Sequence, residues 1–120
     1  MTMKILVIDD NENNTSTLSK FFNSKGFSTI ICDEPMAGLR HIQQEKFDVI
    51  LLDVNMPVVG EIGVIELLAS DDILKDQNIF IFSEEDLPDI KVKNLLRRDG
   101  VNGFLKQPID PEKLLKIITN

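Results

Sequence analysis

The chain has 120 residues, enough for one domain with a real core and too few for two. Hydrophobic residues make up 42 %, with seven Phe and neither Trp nor Tyr, and the formal net charge is −7. No apolar run approaches the length needed to cross a bilayer, and the acidic bulk argues against general nucleic-acid binding. The start, Met1-Thr2-Met3-Lys4, leads straight into a strand, which predicts no secretory leader. Cys32 is the only cysteine, so no internal disulfide forms and a reducing cytoplasm is the expected setting.

Strand signals recur at Lys4–Ile8, Ser28–Cys32, Val49–Leu52, Ile79–Phe82 and Gly103–Lys106. Apolar runs of this kind, bounded by polar residues, read as strands covered on both faces. Helical patterns fill the gaps. Thr15–Ser24 groups Leu18, Phe21 and Phe22, and the Asn11–Asn14 stretch before it reads as a polar loop. Pro35–Glu45 has Asp33 or Glu34 before it and Met36, Leu39 and Ile42 as its stripe. Ile62–Ser70 carries Ile65, Leu67 and Leu68. Asp89–Arg98 carries Ile90, Val92, Leu95 and Leu96, with Gly100 as its stop. Pro111–Thr119 has Asp110 as N-cap and Leu114, Leu115, Ile117 and Ile118 inward. Five alternations of strand and helix predict a five-stranded parallel sheet, doubly wound as (βα)5, in one domain over residues 1–120.

Charge is spread unevenly. Residues 1–89 hold 6 basic and 17 acidic side chains, and residues 90–120 hold 7 basic and 3 acidic. The basic end reads either as solvated helix faces or as a docking face for an acidic partner or a second copy of the chain.

Three acids carry the chemistry. Asp9 and Asp10 follow the first strand, and Asp53 follows the third. In open α/β sheets the ligand crevice lies outside the carboxyl ends of the strands, so all three are aimed into one place. Two like charges at roughly 5 Å, in an effective dielectric of about 20, repel by about 3 kcal/mol. A cation or a proton must relieve the cluster. All-oxygen ligation suits Mg²⁺, with a loop carbonyl from Asn55 as a further ligand, and leaves Asp53 able to attack phosphorus and form an acyl phosphate. Ser83, at the end of the fourth strand, is either a turn or cap residue or a hydroxyl for a phosphoryl oxygen. His41, beside Arg40, reads as a surface residue, and Cys32 as a small, partly buried apolar one.

The whole chain resembles the receiver (CheY-like) domain of two-component response regulators, which shares the flavodoxin-like winding. The resemblance rests on Ile8-Asp9-Asp10, on Leu51-Leu52-Asp53-Val54-Asn55-Met56-Pro57, on Ser83, and on Asp99-Gly100-Val101-Asn102-Gly103-Phe104-Leu105 leading to Pro108. It implies a regulatory phosphoacceptor rather than an enzyme. Asp53 takes a phosphoryl group from a histidine kinase or histidine phosphotransfer protein. Asp10 and Asp53 bind Mg²⁺ (or Mn²⁺) directly, and Asp9 acts through water. Ser83 and Phe104 are the switch pair, and the surface that responds is that of helix 4, strand 5 and helix 5.

Three departures qualify that expectation. The family places Lys immediately before the proline after strand five, and here Gln107 stands there. Lys106 is one residue off. By strand alternation it points away from the acids, unless a bulge or a cis Gln107–Pro108 bond re-aims it. The residue after the switch hydroxyl is usually small and here is Glu84. Where the family has Asp-Gly after the Met-Pro turn, this chain has Gly60-Glu61. Exchanging a charged donor for a neutral one removes on the order of 1–2 kcal/mol from the grip on a phosphoryl group. The alternative reading is thus a degenerate receiver, an interaction module with weak or absent phosphorylation. A haloacid-dehalogenase-type phosphohydrolase needs Asp-x-Asp after strand one, and Asp9-Asp10-Asn11 does not match it.

Overall fold

A computed structural model describes residues 2–54 and 60–119, with the backbone alone for residues 60–63. Five parallel strands, β1 (Lys4–Ile8), β2 (Ser28–Cys32), β3 (Val49–Asp53), β4 (Ile79–Ser83) and β5 (Val101–Lys106), form one sheet in the order β2-β1-β3-β4-β5. The helices are α1 (Glu12–Ser24), α2 (Pro35–Gln44), α3 (Gly60–Ser70), α4 (Asp89–Leu96) and α5 (Pro111–Ile118), with a 3-10 turn at Leu74–Asp76.

Strand alternation sorts the core into two layers. Leu6, Ile8, Ile50, Leu52, Ile79 and Ile81 pack with Leu39 and Ile42 of α2, with Val64, Ile65 and Leu68 of α3, and with Leu95 of α4. Ile5, Val7, Val49, Leu51, Phe80 and Phe82 pack with Leu18 and Phe22 of α1 and with Leu114 and Ile118 of α5. All five residues of β3 and of β4 are buried, which is why these strands read as unbroken apolar runs. Each Leu, Ile or Phe so covered contributes about 1.5–3 kcal/mol.

The boundaries differ from expectation where polar residues do structural work. α1 begins at Glu12, because Asn11 is its N-cap and the Asn11 side chain accepts from the Asn14 backbone N–H. The Asn11–Asn14 stretch is therefore cap and first turn, not loop. Asp110 and Glu34 hold the N-cap positions of α5 and α2 without a side-chain cap bond. β5 starts two residues early, at Val101. Its register slips between Ile79↔Val101 and Phe80↔Gly103, so Asn102 is a bulge that hides the alternation. α4 stops at Leu96, and Gly100 belongs to the turn into β5. Met36, Leu67, Ile90, Leu96 and Ile117, expected inward, are exposed, while Cys32 is buried. Burial pushes the Cys32 thiol above its ordinary range.

The order β2-β1-β3 matters for function. The chain leaves β1 in one direction to β2, then crosses over to β3 on the other side. The crevice of such a sheet opens at that reversal, above the carboxyl ends of β1 and β3.

Candidate functional site

Asp9 continues the alternation of Ile5 and Val7, and Asp53 that of Val49 and Leu51. Both side chains thus emerge on the α1/α5 side of the sheet at its carboxyl edge. Asp10 is exposed beside them, whereas Asp9 and Asp53 are buried. One carboxylate oxygen from each of the three lies within 4.8 Å of the others. This is an all-oxygen donor set of a kind that a hard divalent cation takes.

The two oxygens of Asp9 are already engaged. Oδ1 accepts from the Asn11 backbone N–H at 2.9 Å, and Oδ2 accepts from Gln107 Nε2 at 3.5 Å. The Asn11 bond is the firm one of the two, and the Gln107 contact is at the limit of hydrogen-bond distance. Asn55, the expected carbonyl ligand, lies outside the described residues, as do Met56 and Pro57.

β5 settles which residue meets the acids. Leu105 pairs with Phe82 on the α1/α5 side, and Phe104 pairs with Ile81 on the other. Lys106 follows Phe104 outward and donates to Asp86 Oδ1 at 2.8 Å. Gln107 returns inward and is buried, with its backbone N–H on the Ser83 carbonyl at 2.7 Å. The Gln107–Pro108 peptide is cis, and Lys106 still faces Asp86. The inward position next to the acids thus holds a neutral amide.

The β4–α4 loop lies against the site. Ser83 is fully buried, and its hydroxyl donates to the Glu85 carbonyl at 2.7 Å and accepts from the Glu85 N–H at 3.1 Å. Glu84 does more than add bulk and charge. Its Oε1 accepts from Asn11 Nδ2 at 3.2 Å and from Asn14 Nδ2 at 3.3 Å, so it reaches from the loop to the start of α1. Asn14 Nδ2 also donates to Gln107 Oε1 at 3.3 Å. These asparagine roles escape a reading by hydrophobic pattern. The signal was the cap spacing, Asn11 followed three residues later by Asn14.

Phe104 is half-buried against the α3/α4 layer and lines a surface groove with Asp86, Leu87, Val92 and Lys106. His41 is remote from all of this. It pairs with Glu45 at 3.3 Å near the amino end of β1, where Lys4 and His41 hold the Glu45 carboxyl below its usual range.

Comparison with known proteins agrees with this fold. The family model described as response regulator receiver domain matches residues 5–119. The CAI-1 autoinducer sensor kinase/phosphatase CqsS of Vibrio cholerae is 26 % identical over 93 % of this chain, and the chain spans 16 % of that protein. The chemotaxis protein CheY4 of Vibrio cholerae superposes with a TM-score of 0.84 at 27 % identity, covering 99 % of this chain and 98 % of that one. The receiver domain of the sensor histidine kinase PA1611 from Pseudomonas aeruginosa, solved with a magnesium ion coordinated in its active site cleft, shares the fold. Its TM-score is 0.81 at 22 % identity, over 99 % of this chain and 96 % of that one.

Proposed function

The chain belongs to the response regulator receiver family of two-component signalling, and from that premise we propose that Asp53 is its phosphoacceptor. The observation that carries this reading is the convergence of Asp9, Asp10 and Asp53 at the reversal point of the sheet. An Asp53 oxygen attacks the phosphorus of a phosphohistidine on a kinase or phosphotransfer protein. A P–O bond forms, the P–N bond breaks, and the departing imidazole nitrogen takes up a proton.

Asp10 and Asp53 are the residues that would hold Mg²⁺ directly, with Asp9 acting through water and the Asn55 carbonyl completing the set. Mn²⁺ suits the same oxygens. When bound, the ion supplies positive charge to the phosphoryl oxygens. The PA1611 receiver, which shares the fold, holds a magnesium ion in its active site cleft, and this supports the choice of ion. Gln107 offers its Nε2–H group where the family has a cation, and Asn11 and Gln107 orient Asp9.

Ser83 and Phe104 form the switch. To reach a phosphoryl oxygen the Ser83 hydroxyl must leave the Glu85 carbonyl, which rearranges the loop that carries Glu84 and Asp86. The responding surface is α4, β5 and α5, where Ile90 and Leu96 stand exposed among basic residues of the 90–120 segment. That surface fits an acidic protein target or a second copy of the chain. Among the described residues no helix is long and apolar enough to cross a membrane, and a cytoplasmic setting goes with this reading.

The test is uptake from a small phosphoryl donor such as phosphoramidate with Mg²⁺, followed by intact mass. Wild type is expected to gain a hydroxylamine-labile adduct, and Asp53→Asn to gain none. Uptake in Asp53→Asn overturns the assignment of the nucleophile. Uptake in Gln107→Lys but not in wild type establishes the degenerate reading instead.

A further inference from the structure

We propose that Asn14 is a positioning residue, anchored by Glu84, that decides which end of the Gln107 carboxamide faces the acids. The inference deepens the phosphoacceptor reading and rests on it for its kinetic arm alone.

The geometry is a chain of four side chains: Glu84, Asn14, Gln107 and Asp9. Its two ends are carboxylates, and an ionised carboxylate only accepts hydrogen bonds. Glu84 therefore takes the –NH₂ end of Asn14, and a second N–H of that group is left to donate to Gln107. What it meets must be the Gln107 oxygen. The Gln107 –NH₂ is then turned to Asp9. With either amide reversed, two acceptors meet. The terminal charges thus fix the direction of both neutral groups between them.

Gln107 needs this help. At 3.5 Å its contact with Asp9 is long, and a neutral amide is drawn to a carboxylate far less than an ammonium is. A Lys in its place would turn to the acids without a guide. The long contact with Asp9 holds a Gln only weakly in the right sense, and Asn14, by donating to its oxygen, adds the second hold. The backbone of Asn14 is capped by Asn11 at 3.1 Å, so its side chain is not needed to start the helix.

A double-mutant cycle separates positioning from a merely structural role. Asn14→Ala, Gln107→Lys and the pair are compared with wild type for the rate of adduct formation from phosphoramidate and Mg²⁺. Asn14→Ala is expected to slow wild type about fivefold and to cost less than twofold in the Gln107→Lys background, because Lys needs no guide. Equal losses in both backgrounds overturn the proposal. The second readout is the side-chain NH₂ pair of Gln107 by NMR, which requires no chemistry at Asp53. In wild type it is expected to be dispersed, and in Asn14→Ala and Glu84→Ala to move toward the values of a free glutamine side chain. A pair unmoved by Asn14→Ala overturns the proposal on its own. A wild type that takes up no phosphoryl group sinks the reading of Asp53 instead, and the NMR arm still decides the role of Asn14.

Discussion

Lys106 donates to Asp86 at 2.8 Å, on the side of β5 turned away from Asp9 and Asp53. One residue of strand alternation separates this cation from the place the family gives it. The pair ties β5 to the loop after β4, the same loop that Glu84 ties to α1 and whose Glu85 backbone holds the Ser83 hydroxyl. Lys106 thereby braces the β4–α4 loop and does not reach the acids.

The hydrogen bond from Lys106, and then its charge, hold the Asp86 carboxyl below the ordinary aspartate range. A folded-state value below the unfolded one means that the contact is fully formed above the ordinary aspartate pKa. It is lost as pH falls through the depressed value. Both side chains are solvent-exposed, so the expected readout is local order and not global stability. Following the Asp86 carboxyl carbon by NMR should give a midpoint below that of an ordinary aspartate. In Lys106→Ala it should return to the ordinary value, with faster exchange in the amides of residues 84–88. Equal midpoints in the two proteins would discard the tether.

With Gln107 inward, the acid cluster has a neutral neighbour where most of the family has a charged one. Repulsion among the acids, about 3 kcal/mol for a pair at 5 Å in a dielectric of about 20, is relieved by a cation or by a proton. Gln107→Lys is expected to raise the metal-free melting temperature by about 5 °C, equivalent to roughly 1 kcal/mol. It should also shrink the upward shift that Mg²⁺ produces in wild type, since a ligand stabilises by its affinity for the folded state alone. Thermal melts with and without Mg²⁺ check both. An unchanged Mg²⁺ shift in Gln107→Lys would show that this position does not feel the acids.

The fold was legible because β1, β3 and β4 are covered on both faces, so Val49-Ile50-Leu51-Leu52 and Ile79-Phe80-Ile81-Phe82 can be nothing but apolar. The three acids were legible because each stands at or just after the carboxyl end of such a run. Lys106 was assigned its outward side from alternation alone, and it keeps that side despite the bulge at Asn102, which lies earlier in the strand. What the pattern hid was polar. Asn11, Asn14 and Glu84 meet across separations of 70 residues or more, and no local periodicity encodes such a meeting. Helix faces were overread for a related reason. α4 packs by Leu95 and leaves Ile90 and Leu96 outside, so apolar content alone does not mark its inner face.

Gly100 and Gly26 offer a matched pair for the turn that delivers β5 to the site. Both have positive φ, +97° and +84°. A side chain is disfavoured in that backbone region by roughly 1–2 kcal/mol. Nothing lies within 4 Å of a Cβ placed on Gly26, so Gly26→Ala carries that backbone cost alone. A Cβ on Gly100 would fall 1.9 Å from the Leu74 carbonyl oxygen and 2.8 Å from its carbon. These are backbone atoms of the 3-10 turn and have no rotamer to yield with. The Gly100 carbonyl also accepts the Ile79 N–H at 2.8 Å, so any shift of the turn pulls on the β4–β5 pairing. Gly100→Ala is therefore expected to cost about 3 kcal/mol or more, against about 1 for Gly26→Ala. Urea unfolding of the two variants measures the difference. Equal losses would mean that the Leu74 turn gives way freely, and that Gly100 is held there by its φ angle and not by the close approach.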